Sequence, residues 1–518
     1  MLIHQFLETN AEAHSYREAL IHLGGRINYL DLERSANRLA NFLIDNGTKA
    51  GDRVGILLES SINYVIAYFA ILKAGGVVVG LNTATTSRIL HSVLSDCSAS
   101  AIIVHHQSAH HLNDIIGDLN DLRLVVLDGR YERLESRKSL CTANFLDIQL
   151  CGHSERPRVA RAPADLASII YTSGTTGNPK GVMLSHRNLE ANTDSIVEYL
   201  SLTHDDRVMA ILPFYYSYGN SLLLTHIRVG GSLVIDNRFA YPNVILEIMS
   251  RERVTGFSGV PTTFAILMHR SNIRNYRWDH LRYLTQAGGP MTPALTLKIM
   301  EAIPHVKIYV MYGQTEASAR LSYLEPERLL EKIGSIGKSI AGVTLSVRDD
   351  KGNICPSGKV GEIVAQGDNI MLGYWNQPAE TAKVLKPEGL YTGDLARTDD
   401  EGYLFIVSRK SDMIKSGAHR ISPKEIEEII AEHEAVVESA VIGVPDEILG
   451  EAIKAVVVPR DGARVTEKDI FKHCRINLPQ FKIPKVIEFR ESLPKTASGK
   501  IKKSQLKAEA EGPSAKGV

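Results

Sequence analysis

Between residues 27 and 82 the chain switches repeatedly between two apolar periodicities, and this alternation limits the fold more than any single motif. In "YLDLERSANRLANFLIDNG" apolar residues recur at helical spacing, "DRVGILLE" reads as a strand, and Ala67 to Ala74 reads as another helix. Such a succession builds βαβ units over a parallel sheet. It returns in "GSLVID", "VTGFSGVP", "LRYLTQAGG" and "VKIYVMYGQTE", each with chemistry-capable residues just past the strand. Ligands of open parallel sheets collect at that carboxyl edge. The stretch 130–165 is more polar and reads as a loop-rich connection leading into the buried strand of "DLASIIYTSG".

From 340 to 408 short strands and turns take over ("LSVRDDKGNICPSGKVGEIVA", "DDEGYLFIVSRK"), and after Arg409 helix and strand mix again, with "PKEIEEIIAEHEAV" helical and "AIKAVVVPR" a strand. The expected fold is therefore α/β. A large N-terminal domain over 1–408 carries βαβ-type parallel sheets and a small β-rich lobe at about 340–408, and an α+β C-terminal domain follows over 409–518.

Composition removes several function classes. Lys plus Arg and Asp plus Glu both number 59, so no overall field recruits nucleic acid or an anionic membrane. The most apolar stretch, "VIAYFAILKAGGVVVG", is broken by Lys73 and a glycine pair and falls short of the roughly 20 residues a bilayer requires. No transmembrane segment is expected. The start "MLIHQFLETNAEAH" lacks a cationic region and a sustained apolar run, so no secretion signal is read there. Five scattered cysteines form no CxxC pair, which favours a reducing, cytoplasmic setting and disfavours structural zinc. His106 and His110 have a spacing that can bind metal, but without an adjoining Cys or carboxylate cluster they read as solvated surface.

The run "YTSGTTGNPKGVMLSHRN" (171–188) places Thr172, Ser173, Gly174, Thr175, Thr176 and Gly177 after a strand and adds Lys180 as a point charge. Closely spaced hydroxyl and backbone donors suit phosphate oxygens, although the composition alone suits a surface turn equally well. Five residues on from Gly174 stands Pro179, so GxxxxGK[ST] is absent, as are GxGxxG and HExxH; "GFSGV" misses the GxSxG elbow.

Taken with "AGGP" (287–290), "MYGQTE" (311–316), "YTGDLA" (391–396), "RKSDMIKSGAHRISPKEIE" (409–427) and "LPKTASGKI" (493–501), the run resembles the ordered signatures of the adenylate-forming superfamily. That superfamily includes acyl-CoA synthetases, luciferases and nonribosomal peptide adenylation domains, and the likeness spans about residues 10 to 508. The resemblance implies ATP, Mg2+ and CoA, or a carrier protein's phosphopantetheine, as reactants. It implies that Glu316 is the magnesium-side carboxylate, that Thr315 meets the α-phosphate, and that Tyr312 packs on adenine beside Gly288, Gly289 and Gly313. Asp394 and Arg409 resemble the pair on the ribose hydroxyls, and Lys500 the residue that reaches the acyl carboxylate and α-phosphate. It further implies a C-terminal domain that rotates about Ser411 to bring Lys415, Gly417 and Ala418 to the site for thioester formation.

Two positions depart from the pattern. Ser411 lacks the hinge charge usual in the family, and Ala418 stands where a glycine lines the pantetheine path. In "PFYYSYGN" Tyr216 occupies the position where amino-acid-activating relatives carry aspartate, which disfavours an amino acid. Tyr215, Tyr216 and Tyr218 can wall a fatty or aryl pocket, with Val260 and Thr263 nearby by resemblance, or can simply pack between subdomains. The sequence therefore points to an AMP-forming acid:CoA ligase acting on a small carboxylic acid and compatible with a homodimer. The alternatives are an acyl-AMP ligase that loads an acyl carrier protein, and a non-catalytic nucleotide-binding regulator.

Overall fold

The computed structural model describes residues 1–130, 140–172, 179–417, 419–460, 462–495 and 501–511. Among them the fold is α/β, with a large N-terminal domain and a separate C-terminal domain. Two mostly parallel sheets dominate the first.

In the nine-stranded sheet, Glu18–His22, Ser232–Ile235, Arg207–Ala210, Gly256–Gly259, Tyr283–Gln286 and Lys307–Tyr312 run parallel in that spatial order. In the eight-stranded sheet, Leu166–Thr172, Val77–Gly80, Arg53–Leu57, Ala101–His105, Leu124–Asp128 and Cys141–Asn144 do the same. Each sheet reverses its winding at one central strand. Arg207–Ala210 lies between the two strands that follow it in the chain, and Arg53–Leu57 lies between Val77–Gly80 and Ala101–His105. At such a switch point the connections leave in opposite directions and open a crevice at the carboxyl ends of the strands.

Helices fill the space between the sheets. The helix Ile62–Lys73 starts at Ser61, whose hydroxyl accepts the Tyr64 N–H at 3.1 Å. It packs against Glu18–His22 of one sheet and against Arg53–Leu57 and Val77–Gly80 of the other. Being apolar around its whole circumference, it has no solvent face to keep polar. Its one charge, the buried Lys73, is neutralised by Glu8 at 2.6 Å and Glu33 at 2.9 Å.

The short strands after residue 340 form an antiparallel sheet of Val343–Arg348, Gly361–Gly367, Gly389–Thr398 and Leu404–Arg409, with Leu385–Lys386 at its edge. A further sheet pairs Val436–Asp446 with Gly450–Pro459. Two segments differ from the sequence reading. The connection at 130–165 contributes the edge strand Cys141–Asn144 and the helix Phe145–Cys151; its polar, half-exposed residues hide the strand pattern. The helix Pro423–Ala431 ends before Val436, which pairs with Pro459 in a strand instead.

Candidate active site

Residues that follow the two switch-point strands face one another across a cavity of about 420 Å³. Glu59 and Ser60 come from the end of Arg53–Leu57, and Ile211 to Pro213 with Tyr215 from the end of Arg207–Ala210. Hydrogen bonds pin the two edges together. The Phe214 N–H donates to Ser60 Oγ at 3.0 Å, Asn237 Nδ2 to the Ser60 carbonyl at 3.0 Å, and the Tyr215 hydroxyl to Asn82 Oδ1 at 3.0 Å. Val260 and Thr263, expected in the acyl pocket, line this cavity, and so does Lys495 of the C-terminal domain. Tyr216 and Tyr218 are not among its lining residues; the tyrosine on the wall is Tyr215. The Tyr218 hydroxyl lies 2.9 Å from Thr285 Oγ1 and donates to the Thr285 carbonyl at 3.0 Å.

A second group of polar side chains gathers beyond the strand Lys307–Tyr312. The chain turns sharply at Gly313, where a Cβ would stand 1.9 Å from the Ala319 carbonyl oxygen, so no side chain fits. This tight turn presents Thr315, whose hydroxyl is 3.2 Å from that of Ser217. The last residue of the strand, Tyr312, donates its hydroxyl to Asp394 Oδ2 at 2.7 Å. Asp394 also accepts Arg409 Nε at 3.0 Å, because the two residues are register partners on adjacent antiparallel strands. Burial, and then the Asp394 charge, push the Tyr312 phenol well above its ordinary value; Asp394 raises the Arg409 guanidinium in turn. Tyr312 thus remains a donor and Arg409 a cation.

Glu316 accepts the Tyr374 hydroxyl at 2.8 Å, and burial followed by that carboxylate's charge raises the Tyr374 phenol. Over the Tyr374 ring, 5.1 Å from its centroid, stands the Lys180 ammonium, which also pairs with Glu380 at 2.7 Å. The hydrogen bond from Lys180, reinforced by Lys383, holds the Glu380 carboxyl down at about 2. Lys180 is the register partner of Thr172 on the adjacent antiparallel strand. Gly288 adopts φ +86°, and the Gly289 carbonyl accepts Gln286 Nε2 at 2.7 Å, so both belong to one turn after Tyr283–Gln286.

In the C-terminal segment the Ser411 hydroxyl donates to Asp412 Oδ1 at 3.1 Å and the Lys415 N–H to Glu451 Oε2 at 2.6 Å. Gly417 takes φ +59° and donates its N–H to the Leu449 carbonyl at 2.8 Å. Ser173, Gly174, Thr175, Thr176, Gly177, Ala418 and Lys500 lie outside the described residues. His106 and His110 each face a backbone carbonyl, of Asp128 and Gln107 respectively. Sequence reasoning missed Tyr374, Glu380, Ser60 and Asn237. Nothing in their local patterns marks them, since their partners are remote in the chain.

The profile described as AMP-binding enzyme matches residues 7–375, and that described as AMP-binding enzyme C-terminal domain matches 425–500. A long-chain-fatty-acid–CoA ligase of Yersinia pestis is 34% identical over 98% of this chain and 94% of its own length. A feruloyl-CoA synthase of Amycolatopsis sp is 34% identical over 94% of this chain and 95% of its own. Among solved structures, an anthranilate CoA ligase in complex with anthranoyl-AMP superposes with a TM-score of 0.91 at 29% identity, covering 99% of this chain and 97% of that one. ATP-bound MatB from Rhodopseudomonas palustris gives a TM-score of 0.88 at 30% identity, covering 99% of each chain.

Proposed function

The chain belongs to the AMP-binding enzyme family, and from that premise we propose that it is an AMP-forming acid:CoA ligase that converts a fatty or aryl carboxylic acid to its CoA thioester. The observation that carries this reading is the gathering of Tyr312, Thr315, Glu316, Asp394 and Arg409 at the carboxyl end of one strand of a parallel sheet whose carboxyl edge also borders a cavity of about 420 Å³.

A carboxylate is a poor electrophile. In the first half-reaction a carboxylate oxygen attacks the α-phosphorus of ATP, the bond to the bridging oxygen breaks, and pyrophosphate leaves from the acyl-AMP. Two anions meet, so the site must place positive charge and donors where negative charge accumulates. Lys180 stands at the exit of the phosphate-side hairpin, Thr315 offers a hydroxyl toward the α-phosphate, and Lys500 neutralises the approaching carboxylate. Asp394, its carboxylate held by Tyr312 and Arg409, accepts the ribose hydroxyls, and the Tyr312 ring lies against the base.

Glu316 suits the magnesium-side role. Tyr374 orients its carboxylate, and no cation among the described residues forms an ion pair with it, leaving it to share a metal with substrate phosphates. Bound there, magnesium supplies charge neutralisation on the phosphates. In the second half-reaction the CoA sulfur attacks the acyl carbon, the thiol proton departs, and AMP leaves. The region 409–518 serves as a lid that alternates between the two half-reactions about Ser411, over a body formed by 1–408. Relatives named as CoA ligases favour CoA over a carrier protein as the acceptor.

The test is acid-dependent exchange of labelled pyrophosphate into ATP over a panel of fatty, aryl and amino acids. The expected result is exchange with one class of fatty or aryl acids and none with amino acids. Exchange with amino acids alone would reject the reading.

A further inference from the structure

A lysine side chain left free samples many rotamers, and ordering it at a phosphate site costs binding energy unless the fold has already fixed it. Two contacts fix Lys180. Its ammonium donates to Glu380 Oε2 at 2.7 Å and lies 5.1 Å from the centroid of the Tyr374 ring. An ammonium has three N–H donors, and among the described residues no further acceptor takes one from Lys180. At the other end of the same tyrosine, the hydroxyl donates to Glu316 Oε1 at 2.8 Å. One side chain therefore spaces the Lys180 cation from the carboxylate assigned above to magnesium. A polyphosphate whose metal sits on Glu316 meets a cation held at the Tyr374 ring.

The segment that carries Glu380 is fastened to the strand that Lys180 begins. Gly373–Tyr374 lies in register with Met183 and Val182, and the Trp375 N–H donates to the Gly181 carbonyl at 2.7 Å. Thr381 ties the short helix Pro378–Val384 back to this strand: its Oγ1 accepts the Tyr374 N–H at 2.9 Å and donates to the Gln377 carbonyl at 2.9 Å. The other oxygen of Glu380 takes Lys383. Lys383 is 69% exposed and Lys180 only 20%, so the pair with Lys180 is the less screened of the two and the one that fixes geometry.

We propose that Glu380 is a positioning residue of the phosphate site: it holds the Lys180 ammonium against the Tyr374 ring, where that ammonium meets the β- and γ-phosphates of ATP. The inference rests on the ligase reading and extends it to a residue outside the motifs. Glu380 touches no reacting atom and acts only through the lysine.

AMP lacks those two phosphates, which separates a positioning role from a structural one. The experiment measures binding of ATP and of AMP, with magnesium, by titration calorimetry, and acid-dependent pyrophosphate exchange. It compares the unaltered enzyme, Glu380→Gln, Glu380→Asp, Lys180→Met and the double variant of Glu380→Gln with Lys180→Met. Glu380→Gln should weaken ATP about 5- to 10-fold and raise KM for pyrophosphate to a similar extent, with AMP within about twofold of its unaltered value. Glu380→Asp, which keeps the charge on a shorter stem, should fall between. The double variant should bind ATP little worse than Lys180→Met, because the two residues act as a unit. Equal weakening of ATP and AMP would mark a structural role and overturn the proposal. Additive losses in the double variant would overturn it too, as would tighter ATP binding, the sign of a carboxylate that withholds the lysine. ATP affinity unchanged by Glu380→Gln, in an enzyme that exchanges pyrophosphate, overturns it and leaves the ligase reading standing. An unaltered enzyme that neither binds ATP nor exchanges pyrophosphate with any acid overturns both. Where Glu380→Gln fails to fold, Glu380→Asp carries the comparison of ATP with AMP.

Discussion

Asp394 is the residue on which the proposed nucleotide end of the site turns, because it joins a strand of the parallel sheet to a strand of the antiparallel one. Removing the Tyr312 hydroxyl deletes one of its donors and leaves the ring. A hydrogen bond to a charged group contributes about 1.5–3 kcal/mol, so Tyr312→Phe should raise KM for ATP roughly 10- to 100-fold with a smaller change in kcat, read by steady-state pyrophosphate release. Gly313→Ala is a steric test: with the Ala319 carbonyl 1.9 Å from the new methyl, the turn must open. Acid-dependent exchange should drop at least about 100-fold if Thr315 is displaced, since misplacement of about 1 Å costs that much. Exchange at the unaltered rate would show that the turn does not position Thr315. At this scale Thr315 and Glu316 stand just past a strand, whereas Asp394 and Arg409 lie within strands and were singled out only by the resemblance of their motifs. Tyr374 and Glu380 were not singled out, for they reach Glu316 and Lys180 from a distant segment, beginning at a two-residue edge strand too short to leave a pattern.

The helix Ser217–Val229 carries both the first residues of the site and a buried histidine. His226 hydrogen-bonds the Leu222 carbonyl through Nδ1 at 3.0 Å and the Tyr283 hydroxyl through Nε2 at 3.2 Å, an arrangement suited to the neutral ring. Burial pushes its pKa down to about 4, and burial pushes His4 and His186 down to about 3. The unfolded chain binds these protons below about pH 6.5 and the folded chain does not, so stability is full above that pH and declines as pH falls toward about 4. Each histidine contributes a slope near 1.4 kcal/mol per pH unit in that window. Urea midpoints at pH 7.5 and 5.0 should therefore differ, and His226→Gln should shrink the difference; an unchanged difference would mean that His226 is protonated in the fold. Strands buried on both faces were readable from apolar runs, whereas Cys141–Asn144 was not, because an exposed edge strand needs no apolar alternation.

At the scale of the molecule, two parallel sheets turn their carboxyl edges toward one cavity, and Lys495 brings the C-terminal domain to its wall. The sequence made the two-domain α/β plan legible through its periodicities. It did not make the facing of the sheets legible, which depends on cross-sheet contacts such as Ser60 to Phe214. The lid account predicts a separation of half-reactions. Lys500→Ala should lower acyl-AMP formation by about 100-fold or more, while thioester formation from supplied acyl-AMP and CoA stays near the unaltered rate. Equal loss of both in a folded variant would remove the lid assignment. The most direct measurement of the central claim is the product balance with acid, ATP, magnesium and CoA, followed by chromatography and mass spectrometry. The account predicts AMP, pyrophosphate and acyl-CoA in equal amounts. ADP with phosphate, or acyl-AMP that accumulates while CoA stays unacylated, would contradict it.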